Sequence, residues 1–256
     1  MATLVHYAVE GPVARITLDS PDNRNALSTR LVDQLHQAFT EATEESGVRA
    51  VVLGHTGGTF CAGADLAEAA GRDPGELAVD RARELTDLLR RILKLSIPVI
   101  AAIDGHVRAG GLGLVGACDI AVAGQASTFA LTEARIGVAP SIISLTLLPK
   151  MSARAAGRYF VTGEKFGPSE AAEMGLITVA APDVPATVSS LTTAIAKASP
   201  QGLAASKALT TAAILEAFDR HAEELSEESA RLFVSEEARE GMMAFLQKRR
   251  PSWIDP

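Results

Sequence analysis

Two stretches decide how this chain folds: Thr59-Phe60-Cys61-Ala62-Gly63-Ala64-Asp65-Leu66 and Gly105-His106-Val107-Arg108-Ala109-Gly110-Gly111-Leu112-Gly113-Leu114. Each follows a short apolar run, residues 50–54 and 98–103, and each precedes a helix-like segment. Uninterrupted apolar runs bounded by turn residues read as strands buried on both faces. Small residues at a strand–helix junction let a ligand come close to the backbone, where main-chain N–H groups can donate to it. Two such junctions facing one point would form an oxyanion hole.

Working outward, residues 13–18 alternate apolar and polar like a half-buried strand. Residues 20–25 form a turn cluster, and Ser28 is placed to cap a helix reaching about residue 44, with Leu31, Leu35, Ala38 and Phe39 on one face. Residues 81–95 predict a helix striped by Leu85, Leu88, Leu89 and Ile92. Residues 113–117 predict another helix, and 119–123 and 127–130 predict strands. Strand–helix alternation argues for an α/β fold with largely parallel pairing. Beyond about residue 150 the strand signal fades, and residues 153–160, 169–174, 184–198, 202–220 and 221–247 read as helices. The expected organisation is an α/β core over residues 1–195 and a helical segment over 196–256. Apolar faces such as Ile214, Leu215 and Phe218, and Phe233, Met242 and Phe245, suit packing on another surface, often another subunit.

Composition narrows the class. Of the 256 residues 47% are apolar and only 4% aromatic, so the core must be built mainly of Ala, Val, Leu and Ile. No uncharged apolar run is long enough to span a membrane, and the first residues show no basic-then-apolar leader, so a cytoplasmic protein is expected. Cys61 and Cys118 lie in apolar surroundings and read as buried thiols, too few for a cysteine-based zinc site. His55 and His106 read as structural, and no histidine spacing suggests a metal. A net charge of −7 gives no global pull towards nucleic acid, and Lys248-Arg249-Arg250 reads as a solvated basic tail.

Taken together, five stretches resemble the crotonase family, the enoyl-CoA hydratase/isomerase superfamily. They are residues 16–18 with 21–27; 60–66; Ala109-Gly110-Gly111 ahead of Cys118-Asp119-Ile120; 129–137 around Glu133; and Arg239-Glu240-Gly241-Met242 with Phe245 and Lys248. The resemblance implies a spiral of ββα units with a C-terminal helical segment that closes the site and mediates trimers or dimers of trimers. It implies an acyl-CoA thioester as ligand, with coenzyme A entering as part of the substrate and no separate cofactor or metal.

The residue roles implied are specific. The N–H groups of Ala64 and Gly110 would hold the thioester oxygen. Arg24, with Asn25 and Ala26, would run along the CoA phosphates, the Ala62 carbonyl would face the adenine, and Asp65 and Leu66 would line the thioester. Lys248 could reach a phosphate. Glu133 matches one of the two glutamates of a hydratase; the other falls at Gly113, which has no side chain. One carboxylate can still activate water and return a proton, or shuttle a proton as an isomerase does. Ser141 and Ser144 are placed to replace part of the missing group. Gly113, followed by Leu131-Thr132-Glu133 and Gly137-Val138-Ala139-Pro140, resembles the branch of methylglutaconyl-CoA and isohexenylglutaconyl-CoA hydratases, which act in leucine and acyclic terpene breakdown. Such substrates carry a distal carboxylate, for which Arg108 and Arg135 are candidates. The expected activity is addition of water to a 2-enoyl-CoA. A Δ3–Δ2 enoyl-CoA isomerase and a non-catalytic acyl-CoA binder are the alternatives. Acyl-length preference would rest on a pocket floor at residues 73–85.

Overall fold

The structure, a computed structural model, describes residues 2–69 and 74–254. The expected pocket floor therefore begins, at Asp73, outside the described residues.

The chain opens with a hairpin of β1 (Val5–Glu10) and β2 (Val13–Leu18), paired antiparallel through a turn in which Gly11 takes φ +57°. Helix α1 (Thr29–Glu44) follows, its start fixed by the Ser28 hydroxyl, which accepts from the Leu31 N–H at 3.2 Å. Then a three-part unit repeats. A strand of the larger sheet leads to a three-residue strand of a smaller sheet, and this leads to a helix. The first unit is β3 (Ala50–His55), β4 (Thr59–Cys61) and α2 (Pro74–Lys94). The second is β5 (Val99–Ile103), β6 (His106–Arg108) and α3 (Gly110–Ala117). The third is β7 (Ile120–Gly124), β8 (Thr128–Ala130) and α4 (Ser141–Leu147), with a tight helical turn Glu133–Ile136 before α4. The larger sheet ends with β9 (Val179–Ala181) in the order β1-β2-β3-β5-β7-β9, parallel after the first pair. The smaller sheet is β4-β6-β8, all parallel. This is the mixed α/β ββα architecture that the sequence implies.

Both faces of the larger sheet are covered, which is why its central strands are apolar without interruption. On one face Ile16, Val51 and Leu53 meet Leu35 and Phe39 of α1 and Leu88 and Ile92 of α2 in the main core. On the other, Val52, Ile100 and Val122 pack under α7 (Val184–Ile195) through Val184 and Val188. Between them in sequence lie α5 (Ala153–Thr162) and α6 (Pro168–Glu173). The chain closes with α8 (Pro200–Phe233) and α9 (Glu236–Leu246).

The C-terminal helices depart from the sequence reading. No break falls at residues 220–221; α8 runs through to Phe233. Neither Gly nor Pro interrupts it there, and Phe218, Ala222, Ser226 and Ala230 continue one buried stripe. Ser226 Oγ lies 3.0 Å from Thr86 Oγ1 of α2, tying the two long helices. The break comes at Val234–Ser235, where the Ser235 hydroxyl caps α9 by accepting from Ala238 N–H at 3.1 Å. Among the described residues, no helix is long and apolar enough to cross a membrane.

Candidate active site

The smaller sheet gathers the site. Its three strands are parallel, so the segments leaving their carboxyl ends emerge side by side. Those segments are Ala62–Asp65 after β4, Ala109–Gly110 after β6 and Leu131–Glu133 after β8. The crevice outside the carboxyl ends of parallel strands is the usual ligand position in α/β folds.

The first two segments touch. A Cβ added at Gly63, whose φ is +90°, would lie 2.9 Å from the Ala109 Cβ and 3.1 Å from the Gly110 nitrogen. One added at Gly111 would lie 2.6 Å from the Cys61 carbonyl oxygen. Glycine at these positions lets the two backbones meet. The Gly63 carbonyl accepts from Leu27 N–H at 2.7 Å, and Asp65 N–H donates to the Leu27 carbonyl at 3.4 Å. Ala64 lies between these two bonds, so its own N–H points away from Leu27. Gly110 is the first residue of α3, and its N–H is one of the donors a helix start leaves without an intrahelical partner. Ala109 holds the entry at φ 46° and ψ −126°, a positive-φ conformation rare for alanine, anchored by its N–H on the Ala130 carbonyl at 3.2 Å. Nothing in the sequence signals that conformation.

Glu133 opens the turn on the third segment. It is 8% exposed, and among the described residues its Oε2 has no hydrogen-bond partner. Burial pushes its pKa up to about 7, while a bond to its own backbone N–H pulls it down slightly. The turn is closed by the Glu133 carbonyl, which accepts from Gly137 N–H and from Val138 N–H at 3.1 Å.

No second carboxylate faces it from α3. A Cβ at Gly113 would lie 2.5 Å from Ile143 Cγ2 and 3.3 Å from Leu89 Cδ1, so apolar side chains from α4 and α2 already fill that space. Ile143 and Ala109 are the two residues that sequence reasoning missed here. Ser141, at the start of α4, is buried, whereas the Ser144 hydroxyl is spent on the Ser141 carbonyl at 2.6 Å.

The remaining candidates divide. Arg24 is exposed, in a left-handed conformation, and its carbonyl accepts from Ala62 N–H at 3.1 Å, which lays residues 24–27 along the first segment. Asn25 holds them there. Fully buried, it accepts from Ser20 N–H at 2.7 Å and donates to the carbonyls of Thr56 and Thr59. Ala26 is buried beside it, Ala62 and Leu66 are half-buried, and Asp65 accepts from Asn23 Nδ2 at 3.0 Å. Glu68, in the tight turn Leu66–Ala69, accepts from Thr29 N–H at the start of α1 and pairs with Arg81 of α2, so this edge of the site is tied to two helices. Lys248 is exposed beyond α9.

The arginines are occupied elsewhere. Arg108 donates to the Val107 and Thr128 carbonyls at 2.8 and 2.7 Å and to Thr128 Oγ1 at 2.7 Å, lying along the smaller sheet. Arg135 donates to the Thr162 carbonyl at 2.8 Å, at the end of α5. His55 joins loops: its Nε2 accepts from Asp104 N–H at 3.0 Å, and burial lowers its pKa. The Cys61 and Cys118 thiols are buried and pushed up to about 12, so both stay protonated at neutral pH. Among the described residues no group of three His, Cys, Asp or Glu could hold a metal ion.

The family model described as enoyl-CoA hydratase/isomerase matches residues 8–256. The chain belongs to the enoyl-CoA hydratase/isomerase family. A crystal structure of an enoyl-CoA hydratase from Mycobacterium avium superposes with a TM-score of 0.93 at 66% identity, covering 99% of this chain and 100% of that one. Enoyl-CoA hydratase EchA19 of Mycobacterium tuberculosis is 32% identical, over 93% of this chain and 91% of its own. Carnitinyl-CoA dehydratase of Proteus mirabilis is 30% identical, over 99% of both. Within this enoyl-CoA hydratase/isomerase framework, two backbone N–H groups and one buried carboxyl emerge from three adjacent parallel strands.

Proposed function

We propose that this protein is an enoyl-CoA hydratase working with one carboxyl group. The observation that carries the reading is Glu133, buried, with its Oε2 unpartnered among the described residues and its pKa raised to about 7. A group that titrates near neutrality serves equally as base and as acid. The thioester oxygen accepts from Ala64 and Gly110 N–H. Glu133 takes a proton from water as the water oxygen bonds to C3, and the alkene electrons move onto the thioester oxygen. The resulting enolate collapses as Glu133 returns the proton to C2, so one water is added and nothing else is consumed. Each donor aimed at the developing oxyanion contributes about 3 kcal/mol. Arg24, Ala26 and Ala62 border the path for the CoA moiety, and Asp65, Leu66 and Ser141 flank the acyl thioester.

A second reading is favoured by one observation. Ile143 and Leu89 leave only apolar contact at Gly113, where a second water-holding group would stand. A single carboxyl against an apolar wall also suits proton transfer between C2 and C4, the Δ3–Δ2 isomerase reaction. A 3-methylglutaconyl-type substrate is the finer proposal. Its distal carboxylate would need Arg108 or Arg135 to leave the bonds described above, so a neutral enoyl chain is the first substrate to try.

Mass spectrometry after incubation with crotonyl-CoA and with 3-methylglutaconyl-CoA tests this. The expected product gains the mass of one water, and Glu133→Gln slows its formation by about a hundred- to ten-thousand-fold. Double-bond migration without mass gain selects the isomerase. Tight binding with no product selects the acyl-CoA binder.

We also propose that residues 196–256 associate with other copies of the chain, as a trimer or a dimer of trimers. Leu209, Phe245 and Leu246 of this segment are more than half exposed, at 81%, 55% and 59%.

A further inference from the structure

The turn that carries Glu133 is seated on α9 backbone to backbone. A Cβ added at Gly241 would lie 2.6 Å from the Cα, carbonyl carbon and carbonyl oxygen of Ile136. A Cβ added at Gly137, where φ is +79°, would lie 2.6 Å from the Glu237 carbonyl carbon and 2.7 Å from Ala238 N. Real Cβ atoms do not come this close to backbone, so each glycine is where it is because the helix and the turn share that space. The α9 face is small throughout: Ala238, Gly241 and Ala244 are its buried residues. On its other side the turn is tied to α5 by Arg135.

We propose that Gly241 is a positioning residue for the Glu133 carboxyl, acting through the backbone of Ile136. The proposal rests on the role given to Glu133 above. Ile136 closes the same four-residue turn that Glu133 opens, so pushing on one end moves the other. The carboxyl bonds only its own backbone N–H, and its Oε2 has no partner among the described residues, so its aim follows the backbone of the turn and the seat beneath it. A displacement of about 1 Å in a reacting group is enough to cost a hundred-fold in rate. The same seat keeps the carboxyl out of water. Its raised pKa comes from burial, with no contribution from Glu236, Glu237, Arg239 or Glu240 on α9, from Arg154 or Arg158 on α5, or from Arg135 on the turn. Helices α3 and α4 carry no charged residue.

Gly241→Ala separates this from an ordinary helix effect. In open space a helical Gly→Ala exchange stabilises, and Gly157 of α5, with nothing within 4 Å, is the control. Two readouts are taken: the Glu133 carboxyl titration, followed by carbon NMR against Glu133→Gln as blank, and steady-state kinetics with crotonyl-CoA. In Gly241→Ala the Glu133 pKa is expected to fall by about one pH unit as water reaches it, and kcat to fall about ten-fold, with KM within two-fold. Gly157→Ala leaves both unchanged. Ser235→Ala, which removes the α9 cap without a clash, moves the pKa in the same direction by less, and decides the matter should Gly241→Ala not fold. An unmoved Glu133 pKa in these α9 variants overturns the proposal. If the native protein turns over no enoyl-CoA, the functional reading fails, while the carboxyl titration still decides the positioning role.

Discussion

Above about pH 7 the Glu133 carboxyl carries a charge that its surroundings leave unpaired. Its pKa is raised from 4.5 in the open chain to about 7 in the fold. Between those values the folded state holds a proton that the unfolded state has released, so stability falls as pH rises through this window. The penalty is complete above about 7, on the order of 3 kcal/mol. Thermal melts across the window should show Glu133→Gln gaining stability over the native protein with rising pH, and the gain vanishing below about pH 4.5. Under the hydratase reading kcat/KM rises with pH through the same value, because the base form is the one that takes the proton from water. Stability and activity then move in opposite directions at one residue. The Thr132-Glu133-Ala134-Arg135 motif pointed to this residue, yet its burial depends on elements far away in the chain. Arg108 shows the converse: its position two residues before Gly110 suggested a ligand contact, and its guanidinium bonds to the Thr128 carbonyl and hydroxyl commit it to the sheet.

The elements themselves differ in how far the chain reveals them. Strands β3, β5 and β7 were legible because burial on both faces leaves an unbroken apolar run. Strands β4, β6 and β9 have three residues each, too few for any period to register, and they are defined by their partners, β4 and β6 in the smaller sheet and β9 on the edge of the larger one. Helix α4 went unread because its seven residues make only two turns, with Ser141, Ser144 and Thr146 scattered among the apolar ones, too short for a helical stripe to register. The α8 continuity was hidden for a different reason: polar residues around 219–221 resemble a boundary, while the buried stripe passes straight through them. That helix also carries Lys207, which is 5% exposed. It donates to the Ile92 and Ile97 carbonyls at 2.9 and 3.1 Å and to Asp119 Oδ2 at 2.7 Å. The same Asp119 oxygen accepts from Val99 N–H at 2.7 Å, so one ion pair fastens α8 to the starts of β5 and β7. Removing either partner leaves a buried charge. Lys207→Met and Asp119→Asn should each cost about 3–5 kcal/mol in urea unfolding, and the double variant should cost less than their sum.

At the scale of the whole molecule, the C-terminal segment serves two surfaces. Its inward face completes the core through Ile214 and Phe218 and seats the Glu133 turn through Gly241. Its outward residues Leu209, Phe245 and Leu246 are those of the proposed association. Light scattering during size-exclusion chromatography should therefore give a particle several-fold heavier than the 26.7 kDa chain. Phe245→Asp with Leu246→Asp should return it towards 26.7 kDa while leaving the melting transition cooperative. The packing of α3 against α4 has a historical consequence as well. Ile143 occupies the volume any side chain at position 113 would enter. An acidic residue placed at 113 while Ile143 keeps its position would clash in the core. Shrinkage at 143 before growth at 113 avoids that clash, whereas the reverse order passes through it. On this packing the order of substitutions, and not only their identity, bears on whether a second carboxylate at 113 is accommodated.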